Sequence, residues 1–162
     1  MDAGVSLLIG NFDGVHLGHR ALVDAARAAS GAGGRVVAMV FDPHPRSVLQ
    51  SDFEPARLSS RWQRDRWLRE AGCDDVRFLE PTPDFLSQSP EAFVDSIVET
   101  VRPRWIVEGA DFRFGRNRAG DLDMLRSLGA GRGFEVLEVD EVRVPLSGED
   151  VPVHSGVVRD LL

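Results

Sequence analysis

Apolar and polar positions along the chain fall into two alternating rhythms. Short apolar runs stand at Val5–Ile9, Val36–Phe41, Asp75–Leu79, Trp105–Glu108 and Phe134–Val139. Between them, apolar positions recur with a helical period at Leu17–Ser30, Ser60–Ala71, Pro90–Val101 and Leu122–Leu128. Strand alternating with helix predicts an α/β fold: a five- or six-stranded, mostly parallel sheet with helices on both faces. The helix ends are punctuated. Gly31-Ala32-Gly33-Gly34 stops the first, Gly72 the second, and Gly129 and Gly131 the fourth, whereas Ser89-Pro90 opens the third with a capping hydroxyl and a first-turn proline. Beyond Val139 the chain reads as one strand, a turn at Ser147-Gly148-Glu149 and a short helix from about Ser155 to Leu162. No repeat, low-complexity tract or linker interrupts the pattern, so residues 1–162 are expected to form one domain.

In such a sheet, ligands bind beyond the carboxyl ends of the strands, near the point where strand order reverses. Three loops follow strands: Gly10–His19, Phe41–Leu49 and Gly109–Gly120. The glycine cluster at 31–34 precedes a strand, which makes it a helix terminator and not a dinucleotide fingerprint. The first loop runs Gly10-Asn11-Phe12-Asp13-Gly14 and then His16-Leu17-Gly18-His19 into a helix. Gly10 and Gly14 allow a turn that side chains would obstruct, and a helix opening near Leu17 offers free N–H groups and a positive dipole end to an anion. His16 and His19 lie three apart, a spacing that puts both imidazoles on one helix face, about 5–6 Å apart at Cβ, within reach of one phosphate. Gly18 inside that first turn costs about 1 kcal/mol unless a ligand or another backbone must come close. Asn11 and Asp13 suit bonds to turn backbone as much as to a ligand.

The second loop, Phe41-Asp42-Pro43-His44-Pro45, is stiffened by prolines on either side of His44, and reads either as a rigid ligand wall or as a simple turn. The third, Gly109-Ala110-Asp111-Phe112-Arg113-Phe114-Gly115-Arg116-Asn117-Arg118, sets two aromatics among three arginines. It suits a ring bearing phosphate, and equally a solvated charged loop with its phenylalanines packed inward. His16, His19 and His44 thus fall on post-strand loops, and the fourth histidine, His154, precedes the last helix.

Composition narrows the partners. At 162 residues and 43% hydrophobic content, the chain has enough apolar surface for a core without disulfides or structural metal. The single cysteine, Cys73, excludes an intrachain disulfide and a cysteine-based zinc cage, and reads as a small packing residue. A net charge of −7 argues against nucleic acid or an anionic membrane as the main partner. With neither a signal peptide nor an apolar run of about 18 residues, the expected compartment is the cytoplasm. All 19 positive residues are arginine, so a phosphate clamp must use guanidinium, imidazole or backbone.

Together these segments resemble the N-terminal adenylyltransferase module of the bacterial bifunctional riboflavin kinase/FAD synthetase family, within the HxGH nucleotidylyltransferase superfamily. The resemblance spans nearly the whole chain. Ile9–His19 matches the family's IGNFDGVHLGH almost residue for residue, Phe41–Pro45 its F-x-PHP segment, Gly109–Gly115 its G-x-DFRFG, and Arg57-Leu58-Ser59 its RL-T/S segment. It implies a Rossmann-like nucleotidylyltransferase fold and the reaction MgATP + FMN → FAD + pyrophosphate, in which an FMN phosphate oxygen attacks the α-phosphorus in line. On this resemblance His16, His19, Ser155 and Arg159 form the catalytic set, the histidines on the α- and β-phosphates and the last two on the β/γ group from the opposite wall. Gly10, Asn11, Phe12, Asp13, Gly18, Gly109 and Asp111 border ATP, and His44, Pro45, Phe112 and Phe114 border the flavin. Mg²⁺ comes with ATP, bound mainly by phosphates and water, so no protein metal-ligand set is expected.

The resemblance also marks departures. The family's last helix opens with Ser-Ser-Thr/Ser-x-Ile-Arg, whereas this chain has His154-Ser155-Gly156-Val157-Val158-Arg159. Ser155 and Arg159 survive, and two hydroxyls are replaced. Such a donor is worth about 10²–10³ in rate where it meets transition-state charge. The kinase domain of the family's usual polypeptide is expected to be absent, with FMN supplied by a separate riboflavin kinase. Two other readings share these motifs. One is a sister nucleotidylyltransferase with another phosphorylated acceptor or with CTP; the other is a flavin- or nucleotide-binding module without turnover, which His154 and Gly156 favour.

Overall fold

The computed structural model describes residues 3–53 and 56–162. Five apolar runs become β1 (Val5–Gly10), β2 (Arg35–Phe41), β3 (Asp75–Leu79), β4 (Trp105–Gly109) and β5 (Glu135–Val139). They pair in parallel in the order β3-β2-β1-β4-β5. The intervening helices are α1 (Leu17–Ser30), α2 (Pro45–Leu49), α3 (Arg61–Ala71), α4 (Pro83–Leu86), α5 (Pro90–Val101) and α6 (Leu122–Arg132). A hairpin of β6 (Arg143–Leu146) and β7 (Glu149–Pro152) then leads to α7 (Ser155–Leu161).

Neighbouring strand residues point to opposite faces, and an all-parallel sheet buries both. Leu8, Val36, Ala38 and Val40 pack with Val23 and Ala26 of α1 and Leu68 of α3. Leu7, Ile9, Val37 and Met39 pack with Phe93 and Ile97 of α5 and Leu125 of α6. Each such side chain contributes about 1.5–3 kcal/mol on full burial. The two cores therefore clamp β1 from both sides and fix where its carboxyl end lies.

The chain winds from β1 outward to β3, then crosses to β4 and β5 on the other side, so strand order reverses between β1 and β4. The ladder joining those two covers only Ser6 opposite Trp105 and Leu7 opposite Ile106. Beyond it the strands part, which opens a crevice at the switch point.

Three short elements escape the hydrophobic pattern: α2, α4 and β7. The turn expected at 147–149 shortens to Ser147 and Gly148, with φ of 52° and 85°, the two-residue geometry that suits a twisted hairpin. Glu149 instead begins a strand, which its polar neighbour Asp150 conceals in the sequence. The fourth expected helix also runs past Gly129 and Gly131, ending at Gly133 with φ 80°. A Cβ on Gly129 would meet the Phe134 carbonyl oxygen at 2.6 Å, so that glycine marks a close packing contact inside the helix. Cys73 is buried, and burial together with neighbouring Asp74 pushes its thiol up to about 12, as suits a packing residue. Among the described residues no helix is long and apolar enough to cross a membrane.

Candidate active site

The loop between β1 and α1 holds backbone conformations that side chains rarely adopt. Phe12 and Val15 have φ of 52° and 40°, each strained by about 1–3 kcal/mol. Both side chains are buried, so core packing holds the loop in this shape. Phe12 also lies edge-on to His19, with ring centroids 5.1 Å apart.

His16 is the N-cap of α1. Its Nδ1 accepts from the N–H groups of Gly18 at 3.1 Å and His19 at 3.4 Å, while His19 Nδ1 accepts from the His16 N–H at 3.2 Å. This is a capping box built from two imidazoles. A ring nitrogen that accepts from an N–H carries no proton, so each neutral ring holds its hydrogen on Nε2. The rings stack at 3.6 Å and 17°. Burial lowers His16 to about 4, with like charge on His154 adding to the effect, and lowers His19 to about 3, with His16 adding to it. At neutral pH they are a pair of uncharged donors.

This arrangement corrects one expectation. The first-turn N–H groups of Gly18 and His19 are not open to an anion, because the His16 ring accepts them. The ring passes their polarity on through its own Nε2–H. Gly18 itself is crowded by the protein: a Cβ there would stand 3.0 Å from the His16 ring and 3.2 Å from the Val153 carbonyl oxygen.

The crevice between β1 and β4 widens into a cleft of about 1090 Å³. Gly10, Asn11, Phe12, His16, Gly18 and His19 line it from the first loop. Gly109, Asp111, Phe112 and Phe114 line it from the third loop, and His44 and Pro45 from the second. His44 caps α2, its Nδ1 accepting from the Arg46 N–H at 3.1 Å. The two readings of the third loop divide between its phenylalanines. Phe114 is buried in the core against Phe93, at 5.6 Å, while Phe112 is half-buried and stacks on Phe114 at 5.7 Å. A flat, rigid face results.

Asp13, Ser155 and Arg159 do not line this cleft; they join one another, and Asp13 and Arg159 line a smaller pocket of about 110 Å³ that shares Asn11 and His44 with it. Asp13 Oδ1 accepts from the Ser59 N–H at 2.9 Å and the Ser59 hydroxyl at 2.8 Å, and Oδ2 from the Leu58 N–H at 3.0 Å and Arg159 Nη2 at 2.8 Å. Arg159 Nε donates to the Ala56 carbonyl at 2.6 Å, and Ser155 Oγ to the Asp13 carbonyl at 3.3 Å. Burial alone would raise the Asp13 carboxyl; the bonds from Leu58, Arg159 and Ser59 outweigh it and hold the group below the ordinary carboxylate range. The latch ties the β1–α1 loop, residues 56–59 and α7 together.

Two residues that sequence reading passes over complete the frame. Arg64 is 5% exposed and donates to the carbonyls of Asn11 and Phe41, both at 3.1 Å, and to Asp42 Oδ1 at 2.9 Å. Its signal is its position four residues before buried Leu68, on the inward face of α3. Glu108 is 4% exposed near the end of β4, and its Oε1 accepts from the Ile9 N–H at 2.7 Å where the β1–β4 ladder has ended. A carboxylate-bearing residue in an otherwise apolar parallel strand was its signal.

Burial pushes the Glu108 carboxyl well above its ordinary value, the Ile9 bond only partly opposing, so it is held neutral. The folded protein then binds this proton more tightly than the unfolded chain, and stability present below about pH 4.5 is lost as pH rises toward the folded value. Glu108→Gln keeps the acceptor for Ile9 and removes the proton uptake. It should raise stability at pH 7 by about 1–3 kcal/mol and give no gain near pH 4; urea unfolding at both pH values checks this, and an equal effect at both contradicts it.

Comparison with known proteins places these residues in context. The model of a family described as FAD synthetase matches residues 1–152. The bifunctional riboflavin kinase/FMN adenylyltransferase of Escherichia coli (strain K12) is 37% identical over 139 residues, which are 82% of this chain and 43% of that protein. A FAD synthetase of Listeria monocytogenes is 34% identical over 123 residues, 75% of this chain and 50% of that protein. The chain thus spans about half the length of the curated relatives it matches. A solved Streptococcus pneumoniae structure described as a macrolide-efflux protein superposes with a TM-score of 0.82 at 23% identity, over 99% of this chain and 51% of that one, which speaks to fold alone.

Proposed function

Since the chain belongs to the FAD synthetase family, we propose that its cleft transfers AMP from MgATP to the phosphate of FMN, giving FAD and pyrophosphate. The observation that carries this reading is the stacked pair of imidazoles, fixed as Nε2–H donors at the carboxyl end of β1. At about 1090 Å³ the cleft lies at the upper end of the roughly 300–1,000 Å³ of ligand pockets, which suits large ligands such as nucleotides.

An FMN phosphate oxygen would form a bond to the α-phosphorus as the bond from that phosphorus to the pyrophosphate oxygen breaks. The protein's task is to align two anions and stabilise charge on the departing oxygens. Uncharged donors held in place suit it, because their hydrogen bonds strengthen as the charge grows. His16 and His19 would donate to the α- and β-phosphates, with Gly10, Asn11, Phe12 and Gly18 shaping the loop beneath. Gly109 and Asp111 would border the nucleotide, and Phe112, backed by Phe114, would offer its face to a ring. His44 and Pro45 would wall the flavin. Asp13, Ser155 and Arg159 act through the latch and fix the loop that carries the histidines. Mg²⁺ would arrive on the triphosphate and neutralise part of its charge; Asp111 is a cleft carboxylate able to share its water shell. FMN would come from riboflavin kinase activity outside these 162 residues.

The test incubates the purified chain with Mg²⁺, ATP and FMN and follows FAD by chromatography and pyrophosphate by a coupled enzyme. FAD and pyrophosphate in equal amounts are expected. Pyrophosphate released only with another phosphorylated acceptor, or flavin and nucleotide binding without product, would overturn the reading.

A further inference from the structure

The last helix repeats a device of the first. His154 caps α7 as His16 caps α1, its Nδ1 accepting from the Val157 N–H at 3.3 Å. Two residues beyond each histidine stands a glycine. A Cβ on Gly18 would lie 3.0 and 3.1 Å from atoms of the His16 ring, and one on Gly156 would lie 3.1 and 3.2 Å from the same atoms of His154. In both places the imidazole folds back over a residue that has no side chain. Both rings line the cleft, near enough that charge on His154 weighs on His16. The carbonyl of Val153, next to His154, also faces Gly18.

The wall carrying α7 is short of donors for an anion. Ser155 Oγ is used on the Asp13 carbonyl, and Arg159 spends Nε on the Ala56 carbonyl and Nη2 on the Asp13 carboxylate, which ties its guanidinium to the loop and leaves Nη1 as its remaining donor group. The chain has no lysine. His154 is exposed at the cleft rim, and with Nδ1 accepting from the helix its hydrogen sits on Nε2. Among the described residues that Nε2–H makes no hydrogen bond, and no group of three potential ligands converges on a metal position. A ring nitrogen carrying hydrogen serves an anion and not a cation.

Resting on the reading of this cleft as a nucleotide site, we propose that His154 is a third donor to the phosphate chain, alongside His16 and His19. Its ligand is the outer part of a nucleoside triphosphate, or the pyrophosphate it releases. Gly156 belongs to the same device, since it seats the ring. The two replaced hydroxyls of the helix opening are then one substitution of donor chemistry.

The experiment measures binding of magnesium pyrophosphate, MgATP and FMN to the full chain by calorimetry, with and without His154→Asn. Asparagine keeps an oxygen to cap Val157 and removes the ring donor. Pyrophosphate and MgATP should bind about tenfold more weakly, the size of one lost hydrogen bond to a charged group, with FMN affinity and thermal stability unchanged. Gly156→Ala, which presses on the ring, should give a similar loss that adds little to that of His154→Asn. Unaltered pyrophosphate and MgATP binding in His154→Asn overturns the proposal, as does a parent chain that binds neither. Pyrophosphate binding that depends on His154 in a chain that forms no FAD would sustain the third donor and remove the adenylyl-transfer reading.

Discussion

His19→Ala should lower kcat/KM for FAD formation by about 10²–10³, the cost of removing one preorganised donor from a site of growing charge. Three losses coincide in this variant. The Nε2–H disappears, the His16 N–H loses its acceptor, and the ring stacked at 3.6 Å that orients His16 is gone. His16→Asn separates the roles, because asparagine caps a helix about as well and carries no Nε2–H. Its unfolding midpoint should stay near the parent's while turnover falls comparably, and the double variant should lose little more, as for residues acting as a unit. Unchanged kcat/KM in His19→Ala would remove that residue from the site.

The same pair sets a pH dependence. With His16 at about 4 and His19 at about 3, both rings are already neutral at pH 6. Activity should therefore show no decline as pH rises through roughly 6.5, the decline that imidazolium donors would impose. Stability behaves differently. The unfolded chain takes up protons on these rings near pH 6.5 and the folded one resists until far lower, so stability falls as pH drops below 6.5 toward 3.

What the sequence discloses follows from the range of the interactions involved. Central parallel strands bury both faces, so β1, β2 and β4 stand out as apolar runs, the edge strands β3 and β5 show shorter ones, and the helices between them carry their own stop signals. The start of α1 is equally legible, since His16, Gly18 and His19 contact one another within four residues. The destination of Asp13 is not, because its partners lie 45, 46 and 146 residues away. Spacing carries no information over such distances. Arg159 looks from sequence like a phosphate ligand, and nothing in the sequence announces that its Nη2 bonds Asp13 and its Nε the Ala56 carbonyl. Glu108 and Arg64 show themselves only as charges in apolar frames, a sign that something is paired without saying what.

Asp13→Ala should cost about 2–4 kcal/mol of stability and most of the turnover. The carboxylate takes donors from residue 58, residue 59 and Arg159, and removal leaves the backbone N–H groups of Leu58 and Ser59 and a guanidinium without it. Breaking a buried ion pair from one side costs about 3–5 kcal/mol. The Arg159 side chain is 25% exposed, so water recovers part of that and the lower end applies. Urea unfolding measures the loss, and Arg159→Met in the Asp13→Ala background should add little, since the pair is already broken. The pH sign is opposite to that of Glu108. The folded carboxyl of Asp13 lies below its unfolded value, so its contribution is present above about pH 4 and is lost as pH falls through the folded value. Turnover falls because the carboxylate ties the strained loop to residues 58 and 59 and to Arg159 of α7; without it, the packing of Phe12 and Val15 and the Arg64 bond to the Asn11 carbonyl are left to keep His16 and His19 in register. A stability loss below about 0.5 kcal/mol, the scale of an ordinary surface substitution, would show that the loop stands without the latch.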